Sequence, residues 1–506
     1  MFLVEVVSEE ATDLHNEVDV LFESVSVLST SDMETDFGAH SDVDVDVELT
    51  IQSTWPTPVE SMIPSTLATT AESTIHVITS LSHHKNTMAT VPGSIGLPLV
   101  SDKSYTFYKD PVKFAEQNFE YYRSRTFCAR FLNTPTIFIG SNALLHEVLQ
   151  EKQQYMELGY KSFLEGIYGD NILFTEGEVA ESLRQALSFT LDHIEFYKDI
   201  VQRYGMNFMH IPVIPHCIYK LFKQITTEIC LSLFLGLDFT QERDAAETIV
   251  SLTTEHWHGI ISFPVSFKLP MMSASSYKKA LAAKVKLLEV IRVRRSDSKS
   301  SFFEKLHSAM SSEQISDDRI VNNHLLLFTS ALVPKAIASI LTSLTLELGK
   351  EDKLQVQKEV CSNSHLLDTY IMETVRLYPP FFAGRRIIKD KFDAGGYHFP
   401  EGYAVMYLTY ATHRDPATFD RPDHFLPERW KDGSAIDKSG LFSFGSGSRS
   451  CLGQTLVVDI IKITTEILFS QCRVTIPDRQ NLSHKWLPVS RPKCDVQVKF
   501  DRRQPQ

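Results

Sequence analysis

The sequence lacks several features that would place it among membrane-spanning, secreted or disulfide-stapled proteins. Its 506 residues contain no uninterrupted apolar run of the roughly 18–20 residues that a membrane-spanning helix needs. Residues 1–5 show neither the basic flank nor the apolar stretch of a signal peptide. The seven cysteines are scattered, odd in number and without a Cys-x-x-Cys pair. We therefore expect no transmembrane helix, no disulfide framework, no zinc site, and a reducing compartment.

Basic residues are almost absent from the first 90 positions, which hold sixteen Asp or Glu residues and one lysine. The net charge of −15 there compares with −13 for the whole chain, so the remainder carries +2. Because like charges repel and aromatic residues are few, we predict that residues 1–90 form a disordered extension. It is either a partner-binding segment or a weakly constrained extension. For the nearly neutral remainder we predict no nucleic-acid partner.

One cysteine, Cys451, stands in a glycine-rich loop just ahead of a predicted helix. Residues 444–453 read FGSGSRSCLG, and apolar residues then repeat at helical spacing: Leu456, Ile460, Ile463 and Ile467. A helix N-terminus stabilises a thiolate, which is the form of cysteine that ligates metals. The glycines let a flat cofactor approach the sulfur, and Arg449 can meet an anionic group on it. The loop therefore describes a thiolate offered to a planar metal complex that bears carboxylates.

The pattern Phe444-x-x-Gly447-x-Arg449-x-Cys451-x-Gly453 resembles the haem-ligand loop of the cytochrome P-450 superfamily. It fixes five residue types in ten positions, so a chance match is improbable. The resemblance implies that Cys451 is the axial ligand of haem b (heme b, iron protoporphyrin IX). It also implies that Phe444 packs near the sulfur, while Gly447 and Gly453 let the loop pass under the ring.

The resemblance extends to a structural triad. The run ETVR at 373–376 matches the family's conserved helix pair, Glu373 and Arg376, and PERW at 427–430 supplies the third partner, Arg429. Glu and Arg at positions i and i+3 share one face of a helix. The resemblance implies that the three side chains hold the core beneath the haem and take no part in catalysis.

Three arginines are expected to neutralise the haem propionates by the same resemblance. Arg184 closes a segment that matches the family's propionate-contacting helix, although Ala180 stands where tryptophan or histidine is common. One propionate hydrogen bond is therefore expected to be missing. Arg386 best matches a second propionate contact, with Arg385 one register away as the alternative, and Arg449 provides the third.

The resemblance implies a mainly α (α+β) cytochrome P-450 fold, a large helical domain with a small β region. The haem would lie between a long distal helix and the helix after the cysteine loop. We expect the haem-thiolate domain to span 91–500, with 501–506 as a tail. Residues 131–139 predict a short β-hairpin.

The segment 263–270 (FPVSFKLP) and the following YKKAL at 277–281 resemble family members acting on retinoids and sterols. The hinge-like PGSIGLP at 92–98 points to the same branch. An apolar loop before a basic helix also serves to cover a core or to rest on a membrane surface. The resemblance thus favours an apolar small-molecule substrate, and peripheral membrane contact is one further expectation.

The predicted distal helix departs from the family. In most members it carries an acid and an alcohol above the iron, which deliver protons to oxygen. In residues 325–339 here, the acid position holds Leu332 and the alcohol position holds Val333. Pro334 follows and should kink the helix, because proline removes a backbone donor.

Three functions are compatible with this departure. We favour a monooxygenase that inserts one oxygen atom of O2 into a lipid, retinoid or sterol-like molecule, with protons relayed by water held at Thr329, Ser330 or a freed carbonyl. The first alternative is an isomerase or dehydratase of lipid hydroperoxides or endoperoxides, which needs neither O2 nor a reductase. The second alternative is a haem-binding protein without turnover.

For the monooxygenase we expect electrons from an NADPH-dependent reductase or a ferredoxin-type donor. Pocket walls are predicted at Leu332 and Val333 in the distal helix and at Leu487 and Val489 near the C-terminus. The cytosolic face of the endoplasmic reticulum membrane is the location that fits a reducing compartment and a role in lipid metabolism.

Overall fold

The computed structural model describes residues 88–193, 195–205, 216–260, 275–297, 300–431 and 440–503. Nearly all of the predicted N-terminal extension, and the retinoid-like segment 263–270, therefore lie outside the described residues. The described residues belong to one compact unit. The last strand continues to Arg502, so the folded body extends two residues beyond the predicted limit at 500.

Helices dominate this unit, and sixteen α-helices lie within the described residues. They are α1 (Ser104–Lys109), α2 (Pro111–Tyr122), α3 (Asn142–Glu151), α4 (Lys161–Tyr168), α5 (Glu178–Asp192), α6 (Tyr197–Gly205), α7 (Ile218–Leu235), α8 (Arg243–Ile260), α9 (Ser276–Ser296), α10 (Ser301–Ser312), α11 (Asp318–Thr329), α12 (Leu332–Leu348), α13 (Val356–Ser362), α14 (Ser364–Leu377), α15 (Thr409–Thr412) and α16 (Gln454–Gln471). The long helix α16 begins three residues after Cys451, where the apolar periodicity predicted it.

The strands form small sheets. They are β1 (Ala89–Thr90), β2 (Gly93–Ser94), β3 (Thr126–Phe131), β4 (Thr134–Ile139), β5 (Met156–Leu158), β6 (His216–Cys217), β7 (Gly384–Ile388), β8 (Phe392–Ala394), β9 (Tyr397–Phe399), β10 (Ala404–Tyr407), β11 (Cys472–Thr475), β12 (His484–Lys485), β13 (Arg491–Pro492) and β14 (Gln497–Arg502). The largest sheet has six strands in the order β2-β3-β4-β10-β7-β5. Smaller sheets have the orders β1-β9-β8, β11-β14-β6 and β12-β13. The mainly helical α+β class is thereby confirmed.

The predicted hairpin is present as the antiparallel pair β3 and β4. Its two linking residues, Leu132 and Asn133, both have positive φ values of 49° and 55°. Such a two-residue turn matches the twist of the flanking strands. An aromatic cluster then packs on this hairpin, with Phe107 fully buried at its centre.

The distal helix is broken rather than merely kinked. Helix α11 ends at Thr329, Ser330 is extended with ψ 164°, and α12 begins at Leu332. Pro334 is the third residue of α12, where a backbone N–H lacks an intrahelical acceptor in any case, so proline is tolerated there. The sequence predicted the position of a kink near Pro334. The structure shows a complete break instead, because a new helix begins after Ser330.

The two halves of the distal helix form the most apolar helical stretch of the described residues. By length and composition, Asp318–Leu348 could cross a membrane, since an 18-residue window within it has a mean hydropathy of 1.8. The sequence analysis did not predict a membrane-spanning helix there. Within its apolar window 72% is buried inside the protein. That burial is typical of a core helix, and α12 packs directly against α16.

Candidate active site

The cysteine loop is closed by its own backbone and turned by glycine. The Cys451 N–H donates to the Phe444 carbonyl at 2.7 Å. Gly445 and Gly447 have φ values of 73° and 65°, a conformation that side-chain-bearing residues rarely adopt. A Cβ on Gly447 would also overlap the side-chain amide of Gln153. Gly447 is therefore required by packing within the protein, in addition to its predicted role beneath a flat ring.

The environment of the Cys451 thiol combines exposure to solvent with desolvation by nearby protein. The side chain is exposed to solvent, yet the protein around it is dense enough that desolvation raises the pKa of the thiol. The Gly453 N–H at the start of α16 and the charge of Arg184 act in the opposite direction. The sequence pattern predicted that the helix N-terminus would prevail, but desolvation outweighs it here. A bound metal ion would reverse this balance, because coordination deprotonates a thiol.

Two guanidinium groups converge beside the cysteine. Arg184 on α5 donates to the Ser450 carbonyl, next to the ligand position. Arg449 donates to the Ile172 carbonyl at 3.3 Å and lies 3.8 Å from a Glu176 oxygen. The pKa of Arg184 is lowered by burial and then by the charge of Arg449. Such a like-charged pair is suited to an anionic group placed between its members.

The strand β7 carries two adjacent arginines, Arg385 and Arg386, and only one of them faces the cavity beside Arg449. Arg385 is buried and donates to the Gly159 carbonyl at 2.7 Å, away from the cysteine loop. Arg386 lines a cavity of about 530 Å³ together with Gly447 and Arg449. Because successive side chains of a strand point to opposite faces, only one of the two can reach that cavity. Arg386 is the one that lines the cavity, and its contact with a haem propionate stays a prediction.

These residues fit haem b. The exposed Cys451 thiol can provide the axial ligand, Arg184 and Arg449 lie beside the loop that carries it, and Arg386 lines the cavity next to Arg449. A Cβ built on Gly453 would meet nothing within 4 Å, so space beside the loop is open. Ala180 is buried on α5, and the missing propionate hydrogen bond expected there stays a prediction. A haem-thiolate protein is the class that this site defines.

The structural triad is assembled in the core. Glu373 accepts two hydrogen bonds from Arg376, at 2.9 and 2.7 Å, and one from Arg429 at 3.1 Å. It accepts two more from the Trp430 indole at 2.9 Å and the Leu426 N–H at 2.8 Å. Glu373 and Arg376 are both fully buried. The pairing of the three charged residues was predicted, whereas the indole and backbone donors were not.

His413 connects this triad to the cysteine loop. Its Nε2 accepts from the Phe442 N–H at 2.7 Å, and its Nδ1 lies 3.1 Å from the Arg376 carbonyl, to which it donates. Burial lowers the pKa of His413 to about 3, so the ring is neutral. The sequence assigned this histidine no role in iron binding, and its contacts are those of a structural residue.

The first turn of α12 presents an apolar face. Leu332, Val333 and Ala336 are half-exposed, as is Lys335, whereas Pro334 is buried. The positions that lack the acid and the alcohol are thus the accessible ones. No hydroxyl or carboxylate stands on this face within the described residues.

The two hydroxyls predicted to hold a relay water, on Thr329 and Ser330, form hydrogen bonds within the protein. Thr329 Oγ1 donates to the Leu325 carbonyl at 3.0 Å. Ser330 Oγ pairs with the Tyr168 hydroxyl at 2.8 Å, and both residues are fully buried. The water predicted at Thr329 or Ser330 stays a prediction, since each hydroxyl has a protein partner but also has acceptor lone pairs. Tyr168 carries no motif in the sequence, so only the fold could reveal it.

A short segment after α4 joins the break in the distal helix to the cysteine loop. Tyr168, the last residue of α4, contacts Ser330. The Asp170 carbonyl accepts from Asn323 at 3.1 Å. The Ile172 carbonyl accepts from Arg449. The chain from 168 to 172 therefore places the two regions at one site.

The predicted pocket walls near the C-terminus lie in the core. Leu487 is 7% exposed and belongs to the aromatic cluster around Phe107, and Val489 is 2% exposed. Ser490 anchors this turn, because its N–H donates to the Pro380 carbonyl at 2.8 Å. Both side chains pack in the core, and their role as pocket walls stays a prediction.

Comparison with known proteins identifies the family. The family model "Cytochrome P450" matches residues 104–500, so the chain belongs to the cytochrome P450 family. It is an oxidoreductase, a monooxygenase that uses O2 and binds haem b. Members of this family act on hydrophobic substrates with the help of redox partners.

Relatives cover most of the chain. "Putative cytochrome P450 120" of Synechocystis sp. is 26% identical over 82% of this chain and 97% of its own length. "Cytochrome P450 26B1" of Danio rerio is 23% identical over 81% of this chain and 86% of its own length. These relatives support the predicted link to a retinoid-related branch.

Solved structures share the fold. "Retinoic acid bound cyanobacterial CYP120A1" has a TM-score of 0.67 and 23% identity, covering 82% of this chain and 100% of that chain. "Cytochrome P450EX alpha (CYP152N1) wild-type with myristic acid" has a TM-score of 0.65 and 18% identity at the same coverage. At such identities the likeness concerns the fold alone.

Proposed function

We propose that this P450 inserts one oxygen atom from O2 into an apolar small molecule of the retinoid or lipid type, with electrons from a separate reductase. The observation that carries the proposal is the exposed Cys451 thiol in its glycine-turned loop, together with a distal helix whose accessible positions Leu332 and Val333 are apolar. The similar folds that hold retinoic acid and myristic acid support the choice of substrate class.

Bound haem would supply the activation of oxygen, and the protein groups around it hold and shield it. The Gly453 N–H faces the thiolate, while Arg184 and Arg449 provide positive charge for the propionates. Leu332 and Val333 keep water from the substrate by presenting hydrocarbon. Because neither can move a proton, proton delivery must use other groups, such as a water held by the Ser330 carbonyl in the break between α11 and α12.

The proposal is tested by reconstitution with a heterologous NADPH-dependent reductase, and in parallel with a ferredoxin and its reductase. Retinoids and fatty acids would be supplied under ¹⁸O₂. The expected product carries one ¹⁸O atom per molecule and appears only when electrons are supplied. The matched control is Cys451→Ser, which retains the loop but removes the thiolate. Absence of ¹⁸O from every product would overturn the proposal.

The apolar residues Leu332 and Val333 also favour a second activity, the rearrangement or dehydration of a lipid hydroperoxide or endoperoxide. That reaction needs neither O2 nor a reductase, so it needs no delivered protons for oxygen cleavage. Rapid conversion of a fatty-acid hydroperoxide by the haem-loaded protein alone would establish it. A protein that binds haem but is inactive in both assays would instead be a binding protein without turnover.

For the cellular setting we propose a reducing compartment, with the cytosolic face of the endoplasmic reticulum membrane as the first location to examine. All seven cysteines are unpaired, which supports this choice. Fractionation of cells expressing the full chain would test it, and recovery in a secreted or oxidising fraction would contradict it.

A further inference from the structure

A single cation stands on the accessible face of the distal helix. Lys335 lies three residues after Leu332, and both are half-exposed in the first turn of α12. Residues three apart on a helix are neighbours on its surface. The lysine therefore adjoins Leu332, the position at which most members of the family carry the acid.

The ammonium group of Lys335 has one aromatic neighbour and no polar partner. Its Nζ lies 3.9 Å above the centroid of the Trp257 ring, and Trp257 on α8 is buried. In the part of the chain that the structure describes, no hydrogen bond or ion pair uses this ammonium group. A lysine has three donors, and a ring face satisfies its charge without accepting a directed hydrogen bond of ordinary strength. Its capacity to bind an acceptor is therefore largely unused.

The electrostatic surroundings of Lys335 also favour an anion. The residue is half-exposed, yet desolvation by the surrounding protein lowers the pKa of its ammonium group well below the ordinary value. The charges of Lys223 on α7 and Arg491 on β13 lower that pKa further. No carboxylate is among the groups that influence it. An anionic ligand group would compensate both the desolvation and the repulsion between the cations.

We propose that Lys335 binds the carboxylate of an apolar substrate and makes this P450 selective for acids over the corresponding alcohols. The inference rests on the proposed function, because it assigns the ligand of the same site. The carboxylate would accept from the ammonium, the Trp257 ring would cover the ion pair, and the hydrocarbon part would pack on Leu332 and Val333. Lys335 is thus a residue that determines specificity.

The test compares ligands that share a skeleton and differ in charge. Ferric, haem-loaded protein is titrated with retinoic acid and retinol, and with tetradecanoic acid and tetradecanol, and the optical spin-state change gives each Kd. The variants are Lys335→Met, Lys335→Arg, and Lys358→Met as an exposed control on α13. These titrations need no reductase and no turnover.

In the wild type the acids should bind more tightly than the alcohols. Lys335→Met should raise the Kd of the acids about 10- to 100-fold, the loss of one charge-assisted hydrogen bond, and change that of the alcohols by less than about threefold. Lys335→Arg should retain most of the preference, and Lys358→Met should behave as wild type. Equal weakening of acids and alcohols, or no change, would overturn the inference. Failure of every acid to bind the wild type would do the same.

A second measurement guards against misfolding of the variant. Ligand-free Lys335→Met should unfold at the wild-type temperature or above it, because it removes a desolvated charge. The acids should raise the Tm of the wild type and leave that of the variant unchanged; an equal rise in both would count against the proposal. Acid binding that depends on Lys335 but yields no oxygenated product would refute only the proposed function. Oxygenation restricted to neutral molecules would refute only this inference.

Discussion

Glu373→Gln should be severely destabilising, because this carboxylate is the acceptor at the centre of the buried triad. It accepts five hydrogen bonds: two from Arg376 and one each from Arg429, Trp430 and Leu426. A glutamine of the same shape would turn its NH2 group toward at least one of these donors. It would also leave two guanidinium groups in the core without a counter-charge.

The magnitude follows from the burial of Glu373 and Arg376, each of which is 0% exposed. Breaking a buried ion pair by removing one partner costs about 3–5 kcal/mol, since the remaining charge stays desolvated. The measurement is the free energy of unfolding of the haem-loaded protein in urea, followed by far-ultraviolet circular dichroism and by haem absorbance. Where unfolding is irreversible, the shift of the apparent midpoint at a fixed scan rate replaces it.

The matched control is Glu247→Gln, which removes the same charge from an exposed pair. Arg243 and Glu247 are 3.0 Å apart on α8, with side chains 81% and 69% exposed. Solvent screens such a pair, so the free energy of unfolding should change by no more than about 0.5 kcal/mol. A Glu373→Gln effect as small as the control would refute the view that the triad depends on a buried carboxylate.

Three further predictions concern the cysteine loop, the distal face and the buried histidines. Gly447→Ala should fold but incorporate less haem, because alanine is strained at a φ of 65° and its Cβ overlaps Gln153; an unchanged ratio of haem to protein absorbance would contradict this. Val333→Thr restores a hydroxyl to the distal face and should alter the yield of oxygenated product per NADPH consumed or the product distribution, and unchanged kinetics and products would argue against Val333 lying at the oxygen site. Stability should also fall below about pH 6.5, the ordinary histidine pKa, because the folded state depresses the pKa of several histidines that the unfolded chain protonates first. The histidines concerned are His256 and His484, with pKa values of about 4, and His324 and His413, with values of about 3. An unfolding midpoint that does not change between pH 7 and 5 would exclude this contribution to stability.

The distal helix shows how far local pattern carries. Pro334 predicts a kink or a break in the helix, because its ring and missing N–H disturb a helix. Whether the helix bends or breaks depends on what satisfies the groups it frees. Here Ser330 pairs with Tyr168, more than 160 positions earlier in the chain, and the Thr226 hydroxyl donates to the Pro334 carbonyl at 2.9 Å. Neither partner is visible from the helix sequence itself.

Tertiary contacts were also needed to decide whether a given side chain faces the cavity or the core. Arg385 and Arg386 are equivalent as residue types, and the register of β7 in its sheet decides which one reaches the cavity beside Arg449. Leu487 and Val489 are apolar in either environment, so composition could not separate a pocket wall from the core. The same holds for Lys335, whose stack on Trp257 brings together two separate helices.

Features that depend on residues close together in the chain could be predicted from the sequence alone. The cysteine loop depends on glycines with positive φ and on a helix that starts at once. The pair Glu373 and Arg376 depends on i, i+3 spacing, and the hairpin depends on a two-residue turn. Tertiary contacts determine which distal groups are accessible and which arginine of β7 lines the cavity beside Arg449. They also determine where, within the described residues, a lysine ammonium group has no hydrogen-bond acceptor. Those outcomes depend on burial and on contacts between distant segments, which no short-range pattern encodes.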